Sequence, residues 1–253
     1  MSGAAAAPTS FSFARAGAMA VVRARRLLRT RRLLLAAVMA ILPWLAVGDV
    51  PLVVRLGALT QFTIVGLTVL GAGAIAEDLD GGPYAIAFTH SCSALEAMAG
   101  EAATTLLLTT GLAVAQLPFV LRHDTLVDIG IILMCSASLA TLLVGWLAVM
   151  LLAATVARGV GNAIAMIPLL TVVPVLAGTD VLEPLPASLA VPLRTLAQLL
   201  PTPQLASEVY RWILQGGEAP RAAIAVLLLS PVVWFTVAAA HLRRLEPAAR
   251  IAA

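Results

Sequence analysis

Long apolar runs separated by short polar connections dominate the hydropathy pattern of this chain. A membrane-spanning helix requires about 20 predominantly apolar residues, whereas a strand of a membrane barrel alternates polar and apolar positions. The runs do not alternate, so the pattern predicts an all-α integral membrane protein with six transmembrane helices. The predicted spans are residues 33–48, 56–76, 102–121, 126–156, 161–178 and 222–240.

Two of these spans differ from the usual length. The first span is short and contains Pro43, which should distort its upper end because proline lacks a backbone donor. The fourth span is long, so we expect it to tilt or to begin with an interfacial turn.

The segment before the first span, "ARAGAMAVVRARRLLRTRRLLL", is basic and amphipathic. At 100° per residue, Arg25, Arg26, Arg29 and Arg32 share one helical face. This pattern predicts an interfacial helix, within the cytoplasmic segment 1–32, that is held by anionic lipid. The alternative is an unstructured basic tail.

A second amphipathic segment, residues 179–221, is rich in proline and precedes the last span. Its apolar stretches are too short to cross a bilayer, but long enough to lie at the outer surface or re-enter it. Pro192 and Pro201 should bend or break any helix that contains them. We therefore predict an extracellular hairpin of two short helices, at about 186–200 and 203–214.

All 16 basic residues are arginines, and their distribution predicts the orientation. With six spans and the N-terminus inside, only Arg55, Arg122, Arg194, Arg211 and Arg221 lie outside. The protein is then expected in the cell membrane, with both termini and the connection 77–101 on the cytoplasmic side. No repeat or linker interrupts the chain, so we expect one transmembrane domain, 1–253.

Composition agrees with the spans and excludes several kinds of chemistry. The chain is 61% hydrophobic and 11% charged, with a mean hydropathy of +1.00. Without lysine it has neither a phosphate-binding G-x-x-x-x-G-K-[ST] loop nor a Schiff-base amine. Cys92 and Cys135 are too few for a disulfide framework or a zinc site. We expect no metal or cofactor on this chain and no nucleic-acid partner.

Polar residues within the spans are few. A proton-coupled or ion-coupled carrier usually needs buried acids or histidines, and Asp128 is the only such residue within the predicted spans, so secondary transport is disfavoured. The pattern suits an apolar or amphipathic substrate. The alternative role for the polar residues is hydrogen bonding between helices. The candidates for a substrate path are Gln61, Thr63, Thr68, Thr104, Thr105, Thr109, Gln116 and Asn162.

Two short polar stretches raise the possibility of a membrane-embedded enzyme, such as a lipid-modifying transferase. They are "HSC" at His90 to Cys92 and "RHD" at Arg122 to Asp124. The predicted topology places them on opposite faces of the membrane, about 30 Å apart, which is too far for a catalytic pair. A passive structural or immunity protein is a further alternative.

The cytoplasmic connection "AEDLDGGPYAIAFTHSCSALEAMAGE", Ala76 to Glu101, contains five acids and an S-x-x-E capping box at Ser93 and Glu96. With the six-span layout and the proline-rich hairpin, it resembles the ABC-2 type permease subunits of ABC transporters, of drug-export kind. That family carries an acid and a glycine after span two, then a P-x-S-R-x-E-x-x-x-G-K pattern. This chain departs from that pattern at Ser91, Ala94 and Glu101.

The resemblance implies a type V exporter-like fold and a permease that is not itself an enzyme. Separate ATPase subunits would bind ATP and Mg²⁺, a second permease copy or a sister permease would complete a dimer, and a hydrophobic drug, antibiotic or lipid-like compound would be exported. The haem-exporter permease has a similar plan. A coupling helix from Cys92 to Met98, followed by a turn at Gly100, would contact the ATPase. The residues implied in coupling are Glu77, Asp78, Asp80, Gly82, Ser93, Leu95, Glu96 and Gly100.

Overall fold

The computed structural model describes residues 11–71, 92–122, 128–156 and 186–252, and these residues are mostly helical. We number the helices of these ranges in chain order. They are α1 (Phe13–Arg29), α2 (Arg32–Ile41), α3 (Leu52–Gly71), α4 (Ala94–Leu121), α5 (Ile129–Val156), α6 (Ala187–Leu199), α7 (Pro203–Gln215) and α8 (Arg221–Ala252).

Four helices in the described ranges are long and apolar enough to cross a membrane. They are α3, α4, α5 and the part of α8 from Arg221 to His241. At 1.5 Å per residue, the 20 residues of α3 extend about 30 Å, which matches the hydrocarbon core of a bilayer. The chain therefore has the architecture of a helical membrane protein, as its apolar runs predict.

The first predicted span is shorter than the others. Helix α2 covers ten residues and continues as a 3-10 turn, Leu42–Leu45, at the position where Pro43 was expected to distort it. The two pieces together extend about 23 Å, less than the hydrocarbon core. The predicted span 161–178 lies outside the described residues, so the structure supports four full-length spans and one shorter apolar helix.

The basic segment at the N-terminus forms two helices. Helix α1 begins after Ser12, whose hydroxyl accepts a hydrogen bond from the Arg15 amide, and ends at Thr30, where the backbone is extended. The sequence pattern predicted one helical face for Arg25, Arg26, Arg29 and Arg32. Because of the break at Thr30, Arg32 belongs to α2 instead and does not share a face with the other three. Helix α1 packs along α4.

The two helices predicted in the proline-rich segment form with nearly the predicted boundaries. Helix α6 ends at Leu199 and α7 begins at Pro203, with Pro201 in the break between them. Pro192 lies inside α6, which is not broken at that position, in agreement with the predicted helix at about 186–200. Helix α7 packs against α3 and α5 and ends at Gly216, whose φ of 76° suits glycine.

The predicted coupling helix is not a separate element. Helix α4 runs without interruption from Ala94 to Leu121, so Gly100 makes no turn. A glycine inside a helix costs about 1 kcal/mol relative to alanine. Here its missing side chain allows close packing, because an ideal Cβ at Gly100 would lie 2.6 Å from the Ala16 carbonyl oxygen and 2.9 Å from the Ala20 nitrogen.

Arginines and aromatic side chains join the helices at the end of the bundle that contains the last turn of α4. Arg55 of α3 is buried and donates to the carbonyl oxygen of Val120 near the end of α4, at 2.7 Å. Arg122 donates to the carbonyl oxygens of Val47 and Gly48 after the 3-10 turn. Trp44 in this turn is buried and stacks on Phe119 of α4. The shorter apolar helix is therefore firmly attached to α4.

The close approach at Gly100 generates a stability prediction with a control in the same helix. We expect Gly100→Ala to lower the free energy of unfolding in detergent by about 1–3 kcal/mol, because the new methyl group overlaps the backbone of α1. Gly111→Ala should be neutral or stabilising, since nothing lies within 4 Å of an ideal Cβ there. Equal effects of the two substitutions, measured by unfolding in SDS, would contradict the packing.

Candidate functional site

The first residues of α4 form the capping box that the sequence predicts. The Ser93 hydroxyl accepts a hydrogen bond from the Glu96 amide at 3.2 Å, and Glu96 Oε2 accepts one from the Ser93 amide at 2.8 Å. Both orphan donors at the start of the helix are thereby satisfied. The capping box fixes the Glu96 carboxylate beside the first turn of its own helix.

The same carboxylate binds the beginning of α1. Arg15 Nη2 lies 2.7 Å from Glu96 Oε1, Arg15 Nε lies 3.0 Å from both carboxylate oxygens, and the Ser12 amide donates to Oε1 at 2.6 Å. Charge-assisted, forked contacts of this kind are among the stronger hydrogen bonds in proteins. The Glu96 side chain is fully buried. Glu96 therefore acts as an internal anchor for α1, where the resemblance implied a contact with another subunit.

A second acid lies five residues further along α4. Arg23 Nε of α1 lies 2.8 Å from Glu101 Oε1, with both side chains buried. Arg23 Nη2 also donates to the carbonyl oxygen of Leu70, in the last turn of α3, at 3.1 Å. Arg23 thus joins α1, α3 and α4 at a single point.

Between the two ion pairs the helix backbones touch. Gly100 faces Ala16 and Ala20 of α1, and the Thr104 hydroxyl donates to the carbonyl oxygen of Ala20 at 2.9 Å. Thr104, a candidate for the substrate path, has a structural role here. We call this contact the α1–α4 interface. It comprises Ser12, Arg15, Ala16, Ala20 and Arg23 of the N-terminal segment and Glu96, Gly100, Glu101 and Thr104 of α4.

Four of the eight residues implied in coupling lie in the described part of the chain. Glu96 and Gly100 lie at the α1–α4 interface, Ser93 caps α4 beside it, and Leu95 packs against the main apolar core. Glu77, Asp78, Asp80 and Gly82 lie outside the described residues. Sequence reasoning missed Arg15, Arg23 and Glu101 as parts of this interface. No local pattern pairs residues that are separated, as Arg15 and Glu96 are, by 81 positions.

Two candidates for the substrate path join helices to each other. Trp44 Nε1 donates to Gln116 Oε1 at 2.9 Å, and Gln116 Nε2 donates to the Thr63 hydroxyl at 3.2 Å and to the Leu112 carbonyl oxygen at 3.1 Å. Gln116 and Thr63 are fully buried. The network links the 3-10 turn, α3 and α4, which is the alternative role considered for these residues.

The other candidates do not form one path in the described part of the chain. Thr68 donates to the Ile64 carbonyl oxygen of its own helix, and Gln61 is exposed in a groove beside α7. Thr105 and Thr109 are buried on α4. Asn162 lies outside the described residues.

The residues considered for enzyme chemistry do not form a site within the described ranges. His90, His123 and Asp124 lie outside these ranges, while Cys92 and Cys135 are both buried and neither forms a disulfide. No group of three His, Cys, Asp or Glu side chains able to hold a metal occurs among the described residues.

Comparisons with known proteins do not assign the chain to a family: no family model, curated protein or solved structure matches it.

The buried amide network predicts that Gln116 contributes to the stability of the protein. Gln116→Leu removes the acceptor of Trp44 and the donor to Thr63, so we expect a loss of about 1–2 kcal/mol in unfolding free energy. Gln61→Leu, at an exposed position, should change it by less than about 0.5 kcal/mol. An SDS unfolding curve for Gln116→Leu that matches the unsubstituted protein would contradict the network.

Proposed function

We propose that this chain is the permease subunit of an ATP-driven ABC exporter that moves a hydrophobic or amphipathic compound out of the cell. The proposal includes six transmembrane helices, cytoplasmic termini, a second permease copy or sister permease, and separate ATPase subunits that bind ATP and Mg²⁺. The observation that carries the proposal is the α1–α4 interface, which joins α1 to the first turn of α4. Because the sequence has no lysine-containing nucleotide loop, a transporter built on it would receive the energy of ATP hydrolysis from another subunit that pushes on this end of α4.

The interface suits the transmission of a mechanical push. Helix α4 continues without a break from the capping box at Ser93 into the span, so a displacement of its first turn would displace the span as a rigid rod. Arg15 and Arg23 attach α1 to the same end of the rod. Through the Leu70 carbonyl oxygen, Arg23 also links the movement to α3.

In the proposed mechanism, closure of the ATPase subunits pushes the segment 76–101 from the cytoplasmic side. Helix α1 and the start of α4 move together, and the spans then rearrange to release the compound outward. The scarcity of charged residues in the spans supports an uncharged or amphipathic cargo, since a buried charge would need a partner in the bilayer.

Purification of the protein complex tests whether the chain binds an ATPase partner. We expect purification of the tagged chain from its native host in mild detergent to recover a soluble protein with a phosphate-binding loop, in stoichiometric amount by mass spectrometry. A chain that is recovered alone even after cross-linking would contradict the proposal. Catalysis by the isolated chain, abolished by substitution of His90 or Cys92, would instead favour a membrane-embedded enzyme.

A charge swap tests the role of the interface in transport. Glu96→Arg places two guanidinium groups together and removes the acceptor of the Ser93 amide, so we expect ATP-driven transport in vesicles to fall at least about tenfold. Combining it with Arg15→Glu should restore part of the activity. Arg25→Glu, at an exposed position on α1, serves as the control. Transport by Glu96→Arg equal to that of the control, at equal protein levels, would remove the interface from the mechanism.

A further inference from the structure

An apolar cavity lies between α3, α4, α5 and α7, away from the α1–α4 interface. Its volume is about 200 Å³. The lining includes the first part of α3, from Leu52 to Leu59, the second half of α4 and the first half of α5. With the predicted orientation, this location corresponds to the outer half of the membrane.

The chemistry of the lining points to an uncharged ligand. Among the described residues the lining has no charged side chain, and its polar members are Thr110, Cys135, Ser136 and Tyr210. The Tyr210 hydroxyl lies 3.0 Å from Thr60 Oγ1, which itself donates to the Leu56 carbonyl oxygen. A threonine hydroxyl has one hydrogen, so Tyr210 is the donor in this pair and its proton is already used.

The size of the cavity limits the ligand further. An apolar protein cavity of about 150 Å³ stays dry and binds benzene or xenon. A cavity of about 200 Å³ therefore accommodates one aromatic ring with small substituents. A water molecule would be poorly stabilised in this cavity, because it requires two to four polar partners.

The exposure of the lining residues indicates the route of entry. Leu59, Leu143 and Tyr210 are buried and form the floor, whereas Val114 of α4 is 57% exposed and Ser136 of α5 is also exposed. The cavity thus opens sideways between α4 and α5. In a membrane this opening faces lipid, where uncharged aromatic compounds concentrate.

We propose that this cavity is a binding site for a small, uncharged aromatic group that enters from the bilayer. Binding at the cavity requires no ATPase. Its use as a holding site for the exported compound rests on the proposed function, and the experiment below keeps the two claims separate.

The test uses the purified chain in phosphatidylcholine nanodiscs, without an ATPase, and a phenyl diazirine as a photoreactive probe. We expect saturable labelling of peptides from α4, α5 and α7 that excess toluene abolishes. Ala113→Phe should fill the cavity and Ser136→Phe should block its opening, so each should reduce saturable labelling at least about tenfold. Leu107→Phe, on the exposed face of α4 away from the cavity, should leave the labelling unchanged.

Several results would overturn the site. Labelling that never saturates, or saturable labelling that survives both Ser136→Phe and Ala113→Phe, would contradict it. Labelling that resists toluene but is displaced by added phospholipid would assign the cavity to an acyl chain instead. Because Ser136 is at the rim, its variant gives an answer even if Ala113→Phe does not fold. Saturable binding by a chain with no ATPase partner would leave the site intact and refute only its link to export.

Discussion

Two buried carboxylates on α4 determine how the N-terminal helix is attached to the protein. An isolated ionised carboxylate is unstable away from water, and an isolated arginine is similarly costly. Glu96 and Glu101 therefore require Arg15 and Arg23, and the buried Arg23 in turn requires Glu101. These two ion pairs fix α1 along α4. An amphipathic helix held by lipid alone would have no such fixed position.

Sequence reasoning succeeded where the determining interactions are local. The apolar runs identify four helices long enough to cross a membrane because bilayer thickness sets their length. Ser93 and Glu96 identify the start of α4 because a capping box needs only neighbouring residues. Pro201 locates the break between α6 and α7 because proline restricts its own backbone and the residue before it. Pro43 likewise predicts a distortion at the end of the first apolar run, which the structure shows as a 3-10 turn.

Sequence reasoning failed where distant segments meet. Gly100 looked like a turn residue, but its lack of a side chain serves the contact with Ala16, more than 80 positions earlier. Glu101 stood out in the sequence only as a departure from a pattern, whereas in the structure it pairs with the buried Arg23 of α1, 78 positions earlier. Cavities were also beyond sequence reasoning, because they depend on how several helices pack.

The central claim is that buried ion pairs hold α1 to α4, and in the pair Arg23–Glu101 both side chains are buried. A double-mutant cycle on Arg23→Met and Glu101→Gln, measured as unfolding free energy in SDS, tests it most directly. Each single substitution leaves a buried charge without its partner, whereas the double substitution leaves neither charge. We predict that the double variant loses at least about 1.5 kcal/mol less than the sum of the single losses. Additive losses, within about 0.5 kcal/mol, would show that α1 is not held to α4 by this pair.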